Sequence, residues 1–202
     1  MRIALFGGTF DPPHRGHLSI ARAAADRFAL DRILFAPTAK QPLKGTTSAS
    51  FEDRFAMVEL AVSADTRFAA SRIDGPNADG SPNYTVDTLS RLSHELSGES
   101  EAEKKYCITG ADAFLDIKRW REPSRLFELA DWIVVSRPGF SLSDLSPLAL
   151  TPQQLTRVHL LEGIHEDISA TRLRADLAAG KDIAANLPPG VANYIRQHHL
   201  YI

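Results

Sequence analysis

Gly7-Gly8-Thr9-Phe10-Asp11-Pro12-Pro13-His14-Arg15-Gly16-His17 is the stretch that decides the fold. It follows the apolar run Arg2 to Phe6 and precedes a segment in which Leu18, Ala21, Ala25 and Phe28 recur at helical spacing, so it is a turn between a buried strand and an amphipathic helix. Two glycines at a strand end let backbone N–H groups approach an anion, and a helix starting near Gly16 aims the positive end of its dipole at the same place. With His17 in the first helical turn and His14 just before it, both imidazoles can face that anion as donors to phosphate oxygens. A lone histidine in such a place would read as part of a tight turn that caps a helix, and it is the context of glycines and helix start that turns the reading toward an anion site.

Outward from the turn, the pattern repeats. Arg32 to Ala36, Lys105 to Thr109, Trp132 to Ser136 and Val158 to Leu161 are short apolar runs of the kind buried on both faces of a parallel sheet. Between them, Phe51, Phe55, Val58 and Val62, and then Val86, Leu89, Leu92 and Leu96, mark further helices with one core-facing stripe. Alternating strands and helices predict a doubly wound, open parallel α/β sheet of Rossmann-like type, with ligands beyond the carboxyl ends of the strands. Pro37 to Ser50, Asp74 to Asn83 and Gly98 to Glu103 read as loops. No internal repeat or linker-like tract interrupts the 202 residues, which predict a single domain over 1–202.

Composition narrows the function. A net charge of −2 gives no global reason to expect nucleic acid or an anionic membrane as partner, so an anion must be met locally. The single cysteine, Cys107, excludes an internal disulfide and a cysteine-based zinc site, and fits a reducing, cytoplasmic setting. The opening apolar run, broken at Gly7-Gly8 and Asp11, reads as neither signal peptide nor membrane span. A dinucleotide-binding dehydrogenase would show G-x-G-x-x-G and an acid ending the second strand, but that strand ends at Ala36-Pro37. The P-loop pattern is absent too, and the two histidines lack further ligands for a protein-bound metal.

His14-Arg15-Gly16-His17 resembles the H-x-G-H signature of the nucleotidyltransferase superfamily, and Ile168-Ser169-Ala170-Thr171-Arg172-Leu173-Arg174 resembles its I-S-[ST]-T-x-x-R motif. Pro82-Asn83-Tyr84-Thr85-Val86-Asp87-Thr88-Leu89, Gly110-Ala111-Asp112, Trp120, Ser136-Arg137-Pro138-Gly139 and the closing Tyr194-Ile195 to Leu200-Tyr201 are similar to the bacterial nicotinate-nucleotide adenylyltransferases. One loop departs: Pro37-Thr38-Ala39-Lys40-Gln41-Pro42-Leu43-Lys44 has Leu43 where the family usually has histidine, while Lys44 is kept and Lys40 adds a cation.

The resemblance implies adenylyl transfer from ATP, with magnesium, to nicotinate mononucleotide. Close alternatives are nicotinamide mononucleotide or phosphopantetheine as acceptor; a different class is a nucleotide sensor without turnover. It further implies that His14, His17 and Arg174 are catalytic and that Gly7, Gly8, Thr9, Phe10, Ser169 and Thr171 join them in holding ATP. Lys44, Tyr84, Thr85, Asp112, Trp120 and Arg137 then fall to the mononucleotide. The substrates are small molecules, no membrane or nucleic acid is implied, and a homo-oligomer is left open.

Locally, Ser169 reads as the N-cap of a helix with Ala170, Leu173 and Leu177 inward and Gly180 as its stop, so Thr171 and Arg174 share a face and Arg172 faces solvent. The segment from about 168 to 202 is then a helical part packed on the sheet. Trp120 suits stacking on a pyridine or a packing role, and Asp112 suits a ribose contact or an N-cap. Thr85 opens a helix whose positive end favours a nicotinate carboxylate over neutral nicotinamide. Arg54, on the polar side of its helix, reads as a solvated charge or a lesser phosphate ligand.

Overall fold

The computed structural model describes residues 1–42, 45–96, 104–136, 145–164 and 168–202. Strands β1 (Arg2–Gly8), β2 (Arg32–Pro37), β3 (Phe68–Ala70), β4 (Lys104–Gly110), β5 (Asp131–Val135) and β6 (Val158–Leu161) form one sheet in the order β3-β2-β1-β4-β5-β6. Every pairing is parallel. All five residues of β5 are buried, as are Ile3 to Phe6 of β1, which is why these segments read as continuous apolar runs rather than alternating ones. The edge strand β3 was not expected; three residues between Arg67 and Ser71-Arg72 are too few to carry a pattern, and pairing with β2 defines the strand.

Successive side chains along each strand enter opposite cores. Ala4, Phe6, Ile33, Phe35, Ile108, Ile133 and Val135 meet α1 (Arg15–Phe28), α2 (Phe51–Val62), α7 (Ala170–Ala178) and α8 (Pro189–Gln197). Leu5, Ala36, Cys107, Trp132 and Val134 meet α3 (Thr85–Leu96), α4 (Ala111–Phe114) and α5 (Pro123–Leu129) on the other face. This is the doubly wound arrangement that alternating elements predict. The helical stripes are those read from sequence: Leu18, Ala21 and Ala25 are buried in α1, and Val86, Leu89 and Leu92 in α3.

From β1 the chain steps outward to β2 and β3, then crosses back to lay β4 on the other side of β1. The crevice where that direction reverses opens at the carboxyl ends of β1 and β4, the place where such sheets bind ligands. Short helix α6 (Pro152–Leu155) precedes β6, and Leu187, Val191 and Ile195 from the region of α8 join the same core as α2. None of the helices among the described residues is long and apolar enough to cross a membrane.

Candidate active site

β1 delivers Gly7 and Gly8 to the crevice. Space beside Gly7 is open where a side chain would stand, whereas a Cβ at Gly8 would touch the Phe10 ring at 3.4 Å. Half-buried Thr9 leads to Phe10, which sits in the left-handed region at φ 48° with its ring buried. That ring lies edge-on to His17 at 4.9 Å and also against Phe6 and Phe35, so the apolar side of the turn is fixed by core packing.

His14 occupies the N-cap of α1 with extended backbone, and His17 falls in the first turn. Their rings stack at 3.7 Å and 25°, so the three-residue spacing does bring the imidazoles side by side. The His14 backbone N–H donates to His17 Nδ1 at 3.2 Å. With Nδ1 accepting, the proton of a neutral His17 ring resides on Nε2, which makes that atom a donor. His14 also borders a small crevice shared with Val135, Ser136, Ile164 and Ile168, so the end of β5 and the approach to the second motif meet it there.

That second motif opens α7. Ser169 takes the N-cap position, with Leu173 N–H bonded to its carbonyl at 2.9 Å, although its side chain makes no capping hydrogen bond. Leu173 is buried, Arg172 is exposed and Gly180, at φ 70°, follows the helix end, all as the pattern predicts. Arg174 Nη2 reaches Thr171 Oγ1 at 3.5 Å, and its Nη1 donates to the Asp11 carbonyl at 2.7 Å. The two motifs are thus joined directly across 163 positions of sequence.

Three residues of this junction make contacts that the sequence reading did not foresee. The Asp11 carboxylate accepts the backbone N–H of Ser48 at 2.7 Å and of Ala49 at 3.1 Å, and the Tyr201 hydroxyl at 2.7 Å. Arg54, expected at the solvent side of its helix, is 0% exposed: its Nη1 donates to the carbonyls of Thr9 at 2.6 Å and Thr38 at 3.0 Å, and its Nε to that of Ala49 at 3.3 Å. Periodicity could not reveal this, because a guanidinium that satisfies three carbonyls is tolerated where an unpaired charge would not be. Burial lowers its pKa while Asp11 and Tyr201 raise it, and an arginine stays charged regardless.

Of the residues expected on the acceptor side, two lie at the N-terminus of α3. Thr85 begins that helix, and the half-buried Tyr84 has its ring beneath Arg121 at 4.8 Å. Buried Asn83 fastens the loop after β2 to this region: Lys40 N–H donates to Asn83 Oδ1 at 3.1 Å and Asn83 Nδ2 to the Gly75 carbonyl at 2.8 Å. The Lys40 ammonium turns to the Gly80 carbonyl at 2.9 Å. Trp120, half-buried, meets Trp132 edge-on at 5.8 Å. Asp112 is exposed in the first turn of α4, whose N-cap is Gly110, so the N-cap reading of Asp112 is corrected. Lys44 and Leu43, Arg137 with the following Pro138-Gly139, and the Gly98 to Glu103 loop lie outside the described residues.

Beneath these, Asp74 accepts the Thr88 hydroxyl at 2.5 Å. Burial pushes its carboxyl above the usual range, against lowering by hydrogen bonds from Thr38 and Thr88. Burial likewise pushes the neighbouring Cys107 thiol up to about 12, with the Asp74 charge adding to it, so this cysteine is an inert core residue. Among the described residues no group of His, Cys, Asp and Glu is arranged to hold a metal ion.

A doubly wound parallel sheet with a glycine turn, paired histidines and a second helix end at its switch point defines a nucleotidyltransferase. The Cytidylyltransferase-like family model matches residues 5–176. A protein of Solibacter usitatus (strain Ellin6076), named "Probable nicotinate-nucleotide adenylyltransferase", is 41% identical over 202 residues, 100% of both chains. One of the same name from Roseiflexus sp. (strain RS-1) is 43% identical over 203 residues, covering 98% of this chain and 97% of that one. This chain belongs to the nicotinate-nucleotide adenylyltransferase family. Among solved structures, Plasmodium falciparum nicotinic acid mononucleotide adenylyltransferase complexed with NaAD aligns with a TM-score of 0.79 over 99% of this chain and 97% of that one. At 19% identity it speaks for the fold alone.

Proposed function

We infer that this chain transfers the adenylyl group of ATP to nicotinate mononucleotide, producing nicotinate adenine dinucleotide and pyrophosphate, a step of NAD synthesis in the cytoplasm. The observation that carries the reading is the junction of the two motifs: Arg174 bonded to the Asp11 carbonyl, three residues before the stacked His14 and His17. In this reaction a phosphate oxygen of the mononucleotide attacks the α-phosphorus, the bond from that phosphorus to the oxygen bridging the β-phosphorus breaks, and pyrophosphate leaves. The nucleophile is already ionised, so no general base is needed. What the protein must supply is alignment of two polyanions and donors for charge growing on the α-phosphate.

Gly7, Gly8, Thr9 and Phe10 shape the floor for the triphosphate, and the start of α1 adds its positive end. His17, a donor at Nε2, serves the α-phosphate, with His14 beside it. Ser169, Thr171 and Arg174 at the start of α7 serve the β- and γ-phosphates. Magnesium would come with ATP as part of the substrate and would supply neutralising charge for the leaving pyrophosphate. Asp11 is committed to backbone N–H groups and Tyr201, in keeping with a site that offers donors to the nucleotide.

For the acceptor, Trp120 covers the pyridine and the N-terminus of α3 at Tyr84 and Thr85 receives the nicotinate carboxylate, while Asp112, Lys44 and Arg137 serve its ribose and phosphate. The helix dipole gives a reason for preferring the carboxylate to a neutral amide. Residues 1–202 act as one domain, with 168–202 carrying the second phosphate motif.

Chromatography with mass detection of the product tests this reading, with magnesium and ATP supplied beside nicotinate mononucleotide, nicotinamide mononucleotide or phosphopantetheine. Nicotinate adenine dinucleotide should form much faster than either other product. ATP binding without any adenylylated product would instead indicate a nucleotide sensor.

A further inference from the structure

The segment after α8 returns to the active site. Leu200 N–H bonds to the Ile195 carbonyl at 3.1 Å, and His199 and Tyr201 both adopt left-handed backbone, at φ 50° and 66°, which bends the segment back over α8. Two non-glycine residues in that region are uncommon and cost energy that the surrounding contacts must offset. What they achieve is to bring the Tyr201 hydroxyl to Asp11 Oδ1 at 2.7 Å.

Asp11 is 3% exposed and is the node of the phosphate-facing turn. Its carboxylate holds the 48–49 backbone, its carbonyl holds Arg174, and the buried Arg54 guanidinium secures the carbonyls of Thr9 and Ala49 on either side. Removing the phenol would leave one carboxylate oxygen with the longer of the two backbone bonds, 3.1 Å, in a place closed to bulk water. The turn could then relax, and His14 and His17 lie only three and six residues further along. A donor near an α-phosphate loses much of its effect when displaced by a fraction of an ångström.

We propose that Tyr201 is a positioning residue for adenylyl transfer: through its hydrogen bond to Asp11 it sets the turn that carries His14 and His17, and so couples docking of the C-terminal segment to the chemistry. The phenol touches no reacting atom. It acts on the transition state through preorganisation, which should appear in kcat rather than in substrate binding. This inference rests on the adenylyltransferase reading.

Tyr201→Phe removes the hydroxyl and keeps the ring. It should lower kcat by about tenfold, with KM for ATP and for nicotinate mononucleotide changed by less than about twofold. In an Asp11→Asn background the same change should cost less than about twofold, because the path through Asp11 is already cut. The imidazole NMR signals of His14 and His17 should shift in Tyr201→Phe, while those of His94 and His159, far from the turn, stay in place. Should Asp11→Asn fail to fold, the kcat split and the NMR signals of the single variant still decide. Wild-type kcat in Tyr201→Phe, a rise in KM alone, or unmoved His14 and His17 signals would overturn the proposal. A wild-type enzyme with no turnover, but with His14 and His17 signals that still move on Tyr201→Phe, would instead locate the failure in the adenylyltransferase reading.

Discussion

Arg174 Nη1 donates to the backbone carbonyl of Asp11 at 2.7 Å, which ties the motif that opens α7 to the turn that follows β1. The same guanidinium reaches the Thr171 hydroxyl at 3.5 Å, so its plane is oriented from two sides. A planar fork held in this way can present its remaining N–H groups to a phosphate with little further loss of entropy.

Arg174→Ala should therefore lower kcat/KM for ATP by about 10²–10³-fold, of the order found on removing one hydrogen-bond donor from an oxyanion site. Arg174→Lys should recover only part of it, because an ammonium cannot hold the Asp11 carbonyl and a phosphate in the same geometry. Steady-state kinetics with ATP varied measures both; full activity in the lysine variant would reduce the role to simple charge.

His17→Ala should lower kcat by about 10²–10³-fold with a melting temperature within about 3 °C of wild type, since the ring is half-buried beside the crevice. His14→Ala should cost activity and stability together, because that ring is buried whereas the His17 ring is not, the stack between them being lost in either variant. Differential scanning calorimetry beside turnover separates the two, and equal melting temperatures in both variants would contradict the distinction.

Arg54→Met should destabilise the fold by about 3 kcal/mol or more, since the carbonyls of Thr9 and Thr38 lose this donor, that of Ala49 keeps only the Thr47 hydroxyl at 2.9 Å, and Asp11 loses a neighbouring cation. Arg54→Lys should recover only part of this, as one ammonium cannot span the carbonyls of Thr9, Thr38 and Ala49. Urea midpoints provide the test; a change below about 0.5 kcal/mol in Arg54→Met, as at an ordinary surface site, would show the residue to be a solvated charge after all.

The buried carboxyl of Asp74 predicts a pH effect. Desolvation raises its pKa, so the folded protein binds this proton more tightly than the unfolded chain does. Its stabilising contribution is complete below the ordinary carboxylate pKa of about 3.9 and is lost as pH rises through the folded-state value. Asp74→Asn still offers an acceptor to Thr88 and has no proton to lose, so its stability relative to wild type should increase as pH rises from about 4 through the folded-state value. Denaturant midpoints across that range check the sign; a gap that narrows or reverses the other way would mean that the carboxylate is well solvated.

How much of this was legible in the sequence depends on how locally each feature is encoded. Three helical stripes and the runs that became β1, β2, β4, β5 and β6 were readable because burial on a parallel sheet writes itself as period and composition. β3 was not, since three residues on an edge owe their conformation to β2. The histidine pair and the α7 motif were visible because each sits within one turn of chain. Arg54, Asp11 and Tyr201 were invisible as a group: apart from Ala49, five residues before Arg54, their partners lie 16 to 190 residues away, and no local pattern distinguishes an arginine that reaches backbone carbonyls from one in water. A slight signal was present in Asp11, an acid between a buried aromatic and two prolines at a strand-to-helix turn, where a charge needs a structural reason to stand.

The stereochemical course at the α-phosphorus tests the central claim most directly. With ATP carrying a chiral α-thiophosphate and nicotinate mononucleotide as acceptor, a single in-line displacement guided only by donors inverts the configuration at phosphorus in the dinucleotide product. Inversion is the predicted result. Retention, the outcome of two successive displacements through an adenylylated side chain, would contradict it and make His14 or His17 a nucleophile in place of a hydrogen-bond donor.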